Sequence, residues 1–132
     1  MKNNVVIAIF FLFCYCENFT QNLNLEKQLH SNWEFQKKGD KKWYKATVPG
    51  CVHTDLMDNG IIKDPYYRLN ESKAQWVDKE DWVYKSTFSL KGNEYKKQHH
   101  EIKFEGLDTY ASVYLNGSLI LQSNNMHRTY IV

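Results

Sequence analysis

The dipeptide Asn116-Gly117, set between T-Y-A-S-V-Y-L at 109–115 and S-L-I-L-Q at 118–122, constrains the fold most tightly. Asn-Gly between β-rich runs predicts a two-residue hairpin, because both residues tolerate the positive φ of a type I′ turn. Its two arms must pair antiparallel. The first arm is fairly apolar on both faces, which suits a central strand of a sandwich. A second alternation runs from Trp82 to Leu90. Trp82, Tyr84, Ser86, Phe88 and Leu90 share one face, and Val83, Lys85, Thr87 and Ser89 the other. Shorter strands are predicted at 33–36, 43–48 and 101–107, the last with Ile102 and Phe104 inward. A turn lies at 37–42 and a polar connection at 91–100. Short strands divided by turns, with no internal repeat, predict an all-β antiparallel β-sandwich or jelly roll. Thr129 to Val132 opens another strand with no partner after it. The domain is therefore expected to be incomplete at its C-terminus, and the sequence a fragment of a longer protein.

Between two predicted strands lies a long patterned connection, V-P-G-C-V-H-T-D-L-M-D-N-G-I-I-K-D-P-Y-Y-R-L-N-E at 48–71. Pro49-Gly50 ends one strand. Residues 51–58 predict a short helix with Leu56 and Met57 facing inward. Asn59-Gly60 stops it, since glycine readily takes the left-handed C-cap conformation. Pro65 biases Asp64 toward extended geometry. A connection longer than about 12 to 15 residues in a compact domain is usually functional or a linker. Tyr66, Tyr67 and Arg68 cluster in it, which points to function.

The N-terminal residues read as a targeting segment. Lys2 gives a positive start, Val5 to Tyr15 is almost wholly apolar, and Cys14 and Cys16 are small enough to flank a cleavage point. Residues 1–16 are therefore expected to be a secretory signal peptide, the run being short for a membrane span. Residues 17–31 form a lead-in, and 32–132 the β-domain. Cleavage would remove two of the three cysteines and leave Cys51, expected to be a buried thiol acting as a small hydrophobe. In a secreted chain the sequons at Asn18, Asn70 and Asn116 are glycan acceptor candidates, Asn116 lying in a tight turn that is exposed but expected to make it a poor acceptor.

Aromatics make up 15% of the chain and hydrophobics 42%, too rich for disorder. Net charge is +2, and the lysines at 37, 38, 41 and 42 are interrupted by Gly39 and Asp40. A solvated turn accounts for them, so no nucleic-acid partner is expected, and no membrane partner. No serine-hydrolase elbow, phosphate-binding loop or dinucleotide fingerprint is present. Neither cofactor nor metal is expected. Asp55, Asp58, Asp64, Glu71, Asp78, Glu80 and Asp81 are loop carboxylates, and nothing singles out a pair for acid–base work on a glycoside. Trp and Tyr faces match the C–H face of a pyranose. On strands, Trp33, Trp82, Tyr84 and Tyr114 are read as core. In loops, Tyr66, Tyr67, Arg68 and Trp76 are read as evenly balanced between core filling and a rim, docking or site role.

Taken together, V-P-G-C-V-H-T-D-L at 48–56, D-P-Y-Y-R-L-N-E at 64–71, Trp76, D-W-V-Y at 81–84, F-E-G-L-D-T at 104–109, V-Y-L-N-G at 113–117 and N-M-H-R at 125–128 resemble one family. It is the N-terminal jelly-roll, galactose-binding-domain-like domain of lysosomal-type β-mannosidases, glycoside hydrolase family 2. The resemblance covers about residues 32 to 132. It implies a retaining exo-hydrolase of terminal non-reducing β-D-mannose on oligosaccharides and glycoprotein glycans. Its two catalytic glutamates would lie on a (β/α) barrel further along the chain. Neither that barrel nor the family's later G-W-D-W-G-P motif is present, so no catalytic residue carries over and this segment alone is expected to be inactive. The expected partners are β-mannoside oligosaccharides, met through the longer enzyme, and the enzyme's own barrel. Tyr66, Arg68, Asn70, Glu71, Trp76, Asp81 and Trp82 are expected at the pocket rim or the barrel-docking face. The implied location is the secretory pathway, lysosomal or secreted. The alternatives are a stand-alone secreted carbohydrate-binding or inactive module and, more distantly, an adhesion or scaffold sandwich.

Overall fold

The computed structural model describes residues 25–132. The expected signal peptide and Asn18 lie outside the described residues. Among the described residues, seven strands form three small antiparallel sheets. In the first, β1 (Glu34–Lys37) lies between β2 (Tyr44–Lys45) and β3 (Trp82–Lys85). The others pair β4 (Lys103–Phe104) with β7 (Tyr130–Ile131), and β5 (Ala111–Leu115) with β6 (Ser118–Ser123). Helices α1 (Val52–Asp58) and α2 (Asn70–Ala74), with a 3-10 turn at Val77–Lys79, occupy the connection from β2 to β3. Short α3 (Gly92–Tyr95) sits in the connection read as merely polar. The Lys91 N–H donates to the Glu94 carboxylate at 2.6 Å, which closes the first turn of α3.

The core gathers around Phe35 on the central strand. Phe35, Ala46, Leu56 and Val77 are buried together, flanked by Trp33, Tyr44, Val52, Ile62, Trp82 and Tyr84. The Phe35 ring stacks on Tyr84 at 5.5 Å and meets Trp82 at 5.8 Å and Tyr44 at 5.9 Å. Register explains this. Phe35 lies opposite Tyr44 on one side and Tyr84 on the other, so three rings fall on one face. The opposite face carries the ion pair of Glu34 with Lys85 at 3.2 Å.

The Asn116-Gly117 turn forms as the sequence predicts. Leu115 pairs with Ser118, and the two turn residues have φ of 50° and 84°. A register shift at Val113/Tyr114 places a bulge in the hairpin. Around it several expectations are corrected. Beta5 pairs with β6 alone and is not a central strand, and Tyr114 is 61% exposed instead of core. The strand from Trp82 ends at Lys85, so Phe88 and Leu90 are exposed. The segment at 101–107 pairs only briefly, though Ile102 exchanges backbone hydrogen bonds with Val132 at 2.8 and 3.1 Å. Alternation detects a face that could be buried; it does not provide the partner strand that buries it.

Candidate functional site

The connection from 48 to 71 is fixed at three points. Gly50 is the first. A Cβ there would collide with the Thr47 carbonyl oxygen, so the chain turns where only glycine fits. Cys51 then takes an extended N-cap conformation, and the Thr54 hydroxyl donates to its carbonyl at 2.7 Å. The Cys51 thiol is exposed, which corrects the expected buried thiol. Hydrogen bonding from the Thr54 backbone and side chain holds its pKa below the ordinary thiol value. The third point closes α1. Gly60, at φ 68°, donates its N–H to the Met57 carbonyl at 2.8 Å, and Ile61 donates to the Leu56 carbonyl at 2.9 Å. This is a Schellman closure.

Inside this frame Asp55 is buried. Its Oδ1 accepts the Thr47 N–H and its Oδ2 the Tyr84 hydroxyl, both at 2.8 Å. Asn59 Nδ2 donates to the Lys45 carbonyl at 2.9 Å and to the Asp55 carbonyl at 2.7 Å. One carboxylate thus ties the end of β2, helix α1 and strand β3 together. Burial, followed by the bond to Asp55 and its charge, pushes the Tyr84 phenol far above its ordinary value. Among the loop carboxylates Asp55 stands out for burial, and both its oxygens are committed to structural donors. The signal for it was present: Val52, Asp55, Leu56 and Asn59 fall on one helical face.

Beyond α1 the chain projects. The Asp64 carboxylate accepts the Tyr66 N–H at 2.9 Å, and its carbonyl accepts Tyr67 N–H at 3.2 Å and Asn70 Nδ2 at 3.0 Å. Ser72 Oγ donates to the Leu69 carbonyl at 2.8 Å. Arg68, at φ 54°, lays its guanidinium 5.1 Å from the Tyr67 ring centroid. On this tied backbone Tyr66 is 98% exposed and Leu69 76%, with Tyr67 also exposed. Scattered apolar exposure is ordinary, whereas three large apolar side chains in four residues on a fixed turn form a presented patch.

Of the remaining expected site residues, Glu71 lies exposed in the first turn of α2. Trp76 and Trp82 meet ring to ring at 5.9 Å. Trp82 also donates its indole N–H to the Val77 carbonyl at 3.0 Å and packs on Phe35, so it belongs to the edge of the core. Trp76 is 37% exposed. Asp81 is exposed and pairs with Lys38 at 2.9 Å. The structure therefore brings Tyr66, Arg68, Asn70 and Glu71 into one projecting connection and Trp76 and Trp82 into one ring pair. Asp78 Oδ1 lies 3.7 Å from His53 Nε2, and Glu80 pairs with Lys37 at 3.5 Å. Among the described residues no three of His, Cys, Asp and Glu gather to hold a metal, and no helix is long and apolar enough to cross a membrane. This arrangement can present a surface; it does not assemble a nucleophile with a proton donor.

Comparison with known proteins fits this anatomy. Residues 33–132 match the family described as glycosyl hydrolase 2 galactose-binding domain-like. The chain is 39% identical over 102 residues to a β-mannosidase of Bos taurus, covering 77% of this chain and 12% of that protein. It is 39% identical over 112 residues to β-mannosidase B of Emericella nidulans, covering 82% and 13%. Among solved structures, the β-D-mannosidase of Dictyoglomus thermophilum superposes with a TM-score of 0.76 at 47% identity, covering 78% of this chain and 13% of that one. The chain thus spans about an eighth of the length of these relatives. By sequence and by fold, it belongs to the glycosyl hydrolase 2 family as its N-terminal galactose-binding-like domain.

Proposed function

We propose that this domain serves a β-mannosidase that removes terminal non-reducing β-D-mannose from oligosaccharides and glycoprotein glycans. The observation that carries the proposal is the likeness to a solved β-D-mannosidase, with a TM-score of 0.76 at 47% identity. Two carboxylates on a barrel outside these 132 residues perform the chemistry, about 5 Å apart as retention of configuration requires. This domain contributes surface. The turn bearing Tyr66, Tyr67 and Leu69 docks on that barrel near the mouth of its pocket. Arg68, Asn70 and Glu71 flank the contact, and Trp76, Asp81 and Trp82 are assigned to the same docking role. Residues 1–16 direct the protein to the secretory pathway, for a lysosomal or secreted destination.

The test is to assay the complete gene product on aryl β-D-mannoside, β-D-galactoside and β-D-glucuronide, following the anomer first released by NMR. Selective release of β-mannose supports the proposal. Preference for another glycoside, or inversion at the anomeric carbon, contradicts it. The exposed tyrosines also fit a sugar-binding module. Saturable binding of β-mannobiose to this chain, with no hydrolysis by the complete product, would favour that alternative.

A further inference from the structure

The two sequons among the described residues occupy opposite structural situations, and the proposed function uses neither as a glycan acceptor. Asn116 is exposed at the tip of the β5–β6 hairpin, followed by Gly117 and an exposed Ser118. Its positive φ, with that of Gly117, closes the two-residue turn, and Ser118 pairs across it with Leu115. A Cβ at the adjacent Gly117 would meet nothing within 4 Å, so the tip has open space beside it. Asn70 is half-buried at the start of α2, and its Nδ2 is engaged with the Asp64 carbonyl at 3.0 Å. The Ser72 hydroxyl of that sequon is turned back onto Leu69. A sugar on Asn70 Nδ2 would replace one of its two amide protons and have to fit beside Asp64 at this half-buried position.

We infer that Asn116 is the N-glycosylated residue of this pair and that Asn70 stays bare. The inference rests on the secretory location proposed above. The donor is a lipid-diphosphate-linked oligosaccharide, used by a host transferase. Asn116 Nδ2 forms a bond to the anomeric carbon, and the bond from that carbon to the diphosphate oxygen breaks. The lipid diphosphate leaves with the electron pair, and one amide proton passes to the transferase base. The hairpin tip consequently faces solvent in the assembled enzyme, while the turn at 64–71, kept free of sugar, remains available for docking.

The complete precursor, with its own residues 1–16, is expressed in a eukaryotic secretory host and treated with an amidase that removes N-glycans in heavy-oxygen water. Trypsin separates the two sites, since residues 104–128 and 69–73 fall on different peptides. A labelled aspartate in place of Asn116, with an unlabelled 69–73 peptide, is the expected result. Ser118→Ala removes the sequon without touching the positive-φ turn residues, and should abolish the label at 116. A secreted product bare at Asn116, or labelled at Asn70, overturns this inference and leaves the secretory location standing. A product that never enters the secretory pathway, judged by full protease sensitivity of the membrane fraction, overturns both.

Discussion

Asp55 holds the connection in place through two hydrogen bonds of 2.8 Å that reach Thr47 and Tyr84. Removing a buried acceptor strands its donors, each at about 1–3 kcal/mol. Asp55→Ala should therefore destabilise the domain by about 2–4 kcal/mol in denaturant unfolding. Asp58→Ala, three residues on and exposed, should stay within about 0.5 kcal/mol. Tyr84 gives this network a pH signature. Its folded pKa is raised, so the neutral phenol is the form the fold stabilises. That stability is complete below the ordinary value of 10.0 and falls as pH rises beyond it, because the unfolded phenol ionises first. Stability should decline more steeply above pH 10.0 in the native chain than in Tyr84→Phe; parallel profiles would contradict this. At this scale the sequence was readable where a residue's neighbours share its helical face. Leu56 was read as inward, and Asp55 beside it was read as a solvated loop carboxylate. The Thr47 and Tyr84 donors come from 8 and 29 residues away, and no local pattern announces them.

Elements follow the same division. Helix α1 and the Asn-Gly hairpin were legible because their stop and turn signals are local: Gly60 and Gly117 take the positive φ that the sequence assigned them. The strand from Trp82 and the first arm of the hairpin were over-extended, because period-2 patterning persists where no partner strand pairs. Lys85 pairs with Glu34, and β1 offers no partner for the residues that follow. Two glycines test the connection. A methyl at Gly50 collides with backbone at Thr47, whereas one at Gly92 meets nothing within 4 Å. Gly50→Ala should lower the thermal midpoint by several degrees, the equivalent of about 1–3 kcal/mol. Gly92→Ala, in helix α3, should be neutral or slightly stabilising. Equal shifts would mean that the turn at 48–50 adapts and does not need glycine.

On the scale of the whole molecule, an ordered small domain presents Tyr66, Tyr67 and Leu69 on a turn that Asp64 braces. The family was legible from the order of its motifs, and residues 33–132 match it. The presented patch was legible in composition, as Tyr66, Tyr67 and Arg68 in one loop, but its bracing by Asp64 rests on hydrogen bonds that composition does not show. Trp76 and Trp82 show the converse: grouped with the rim in sequence, they lean on each other and, through Trp82, on the core. Tyr66→Ala should therefore be the cleaner test of docking. It should change the stability of this chain by less than about 0.5 kcal/mol. In the complete enzyme it should lower activity or thermal stability clearly more than Lys96→Ala, an exposed control. Equal effects of the two would remove the docking role. The central claim, that this domain works by presenting the 64–71 turn to the body of a β-mannosidase, is tested most directly by hydroxyl-radical labelling of Tyr66. Labelling is compared between this chain and the complete enzyme. The account predicts strong labelling in the chain and clear protection in the enzyme. Equal labelling in both would contradict it.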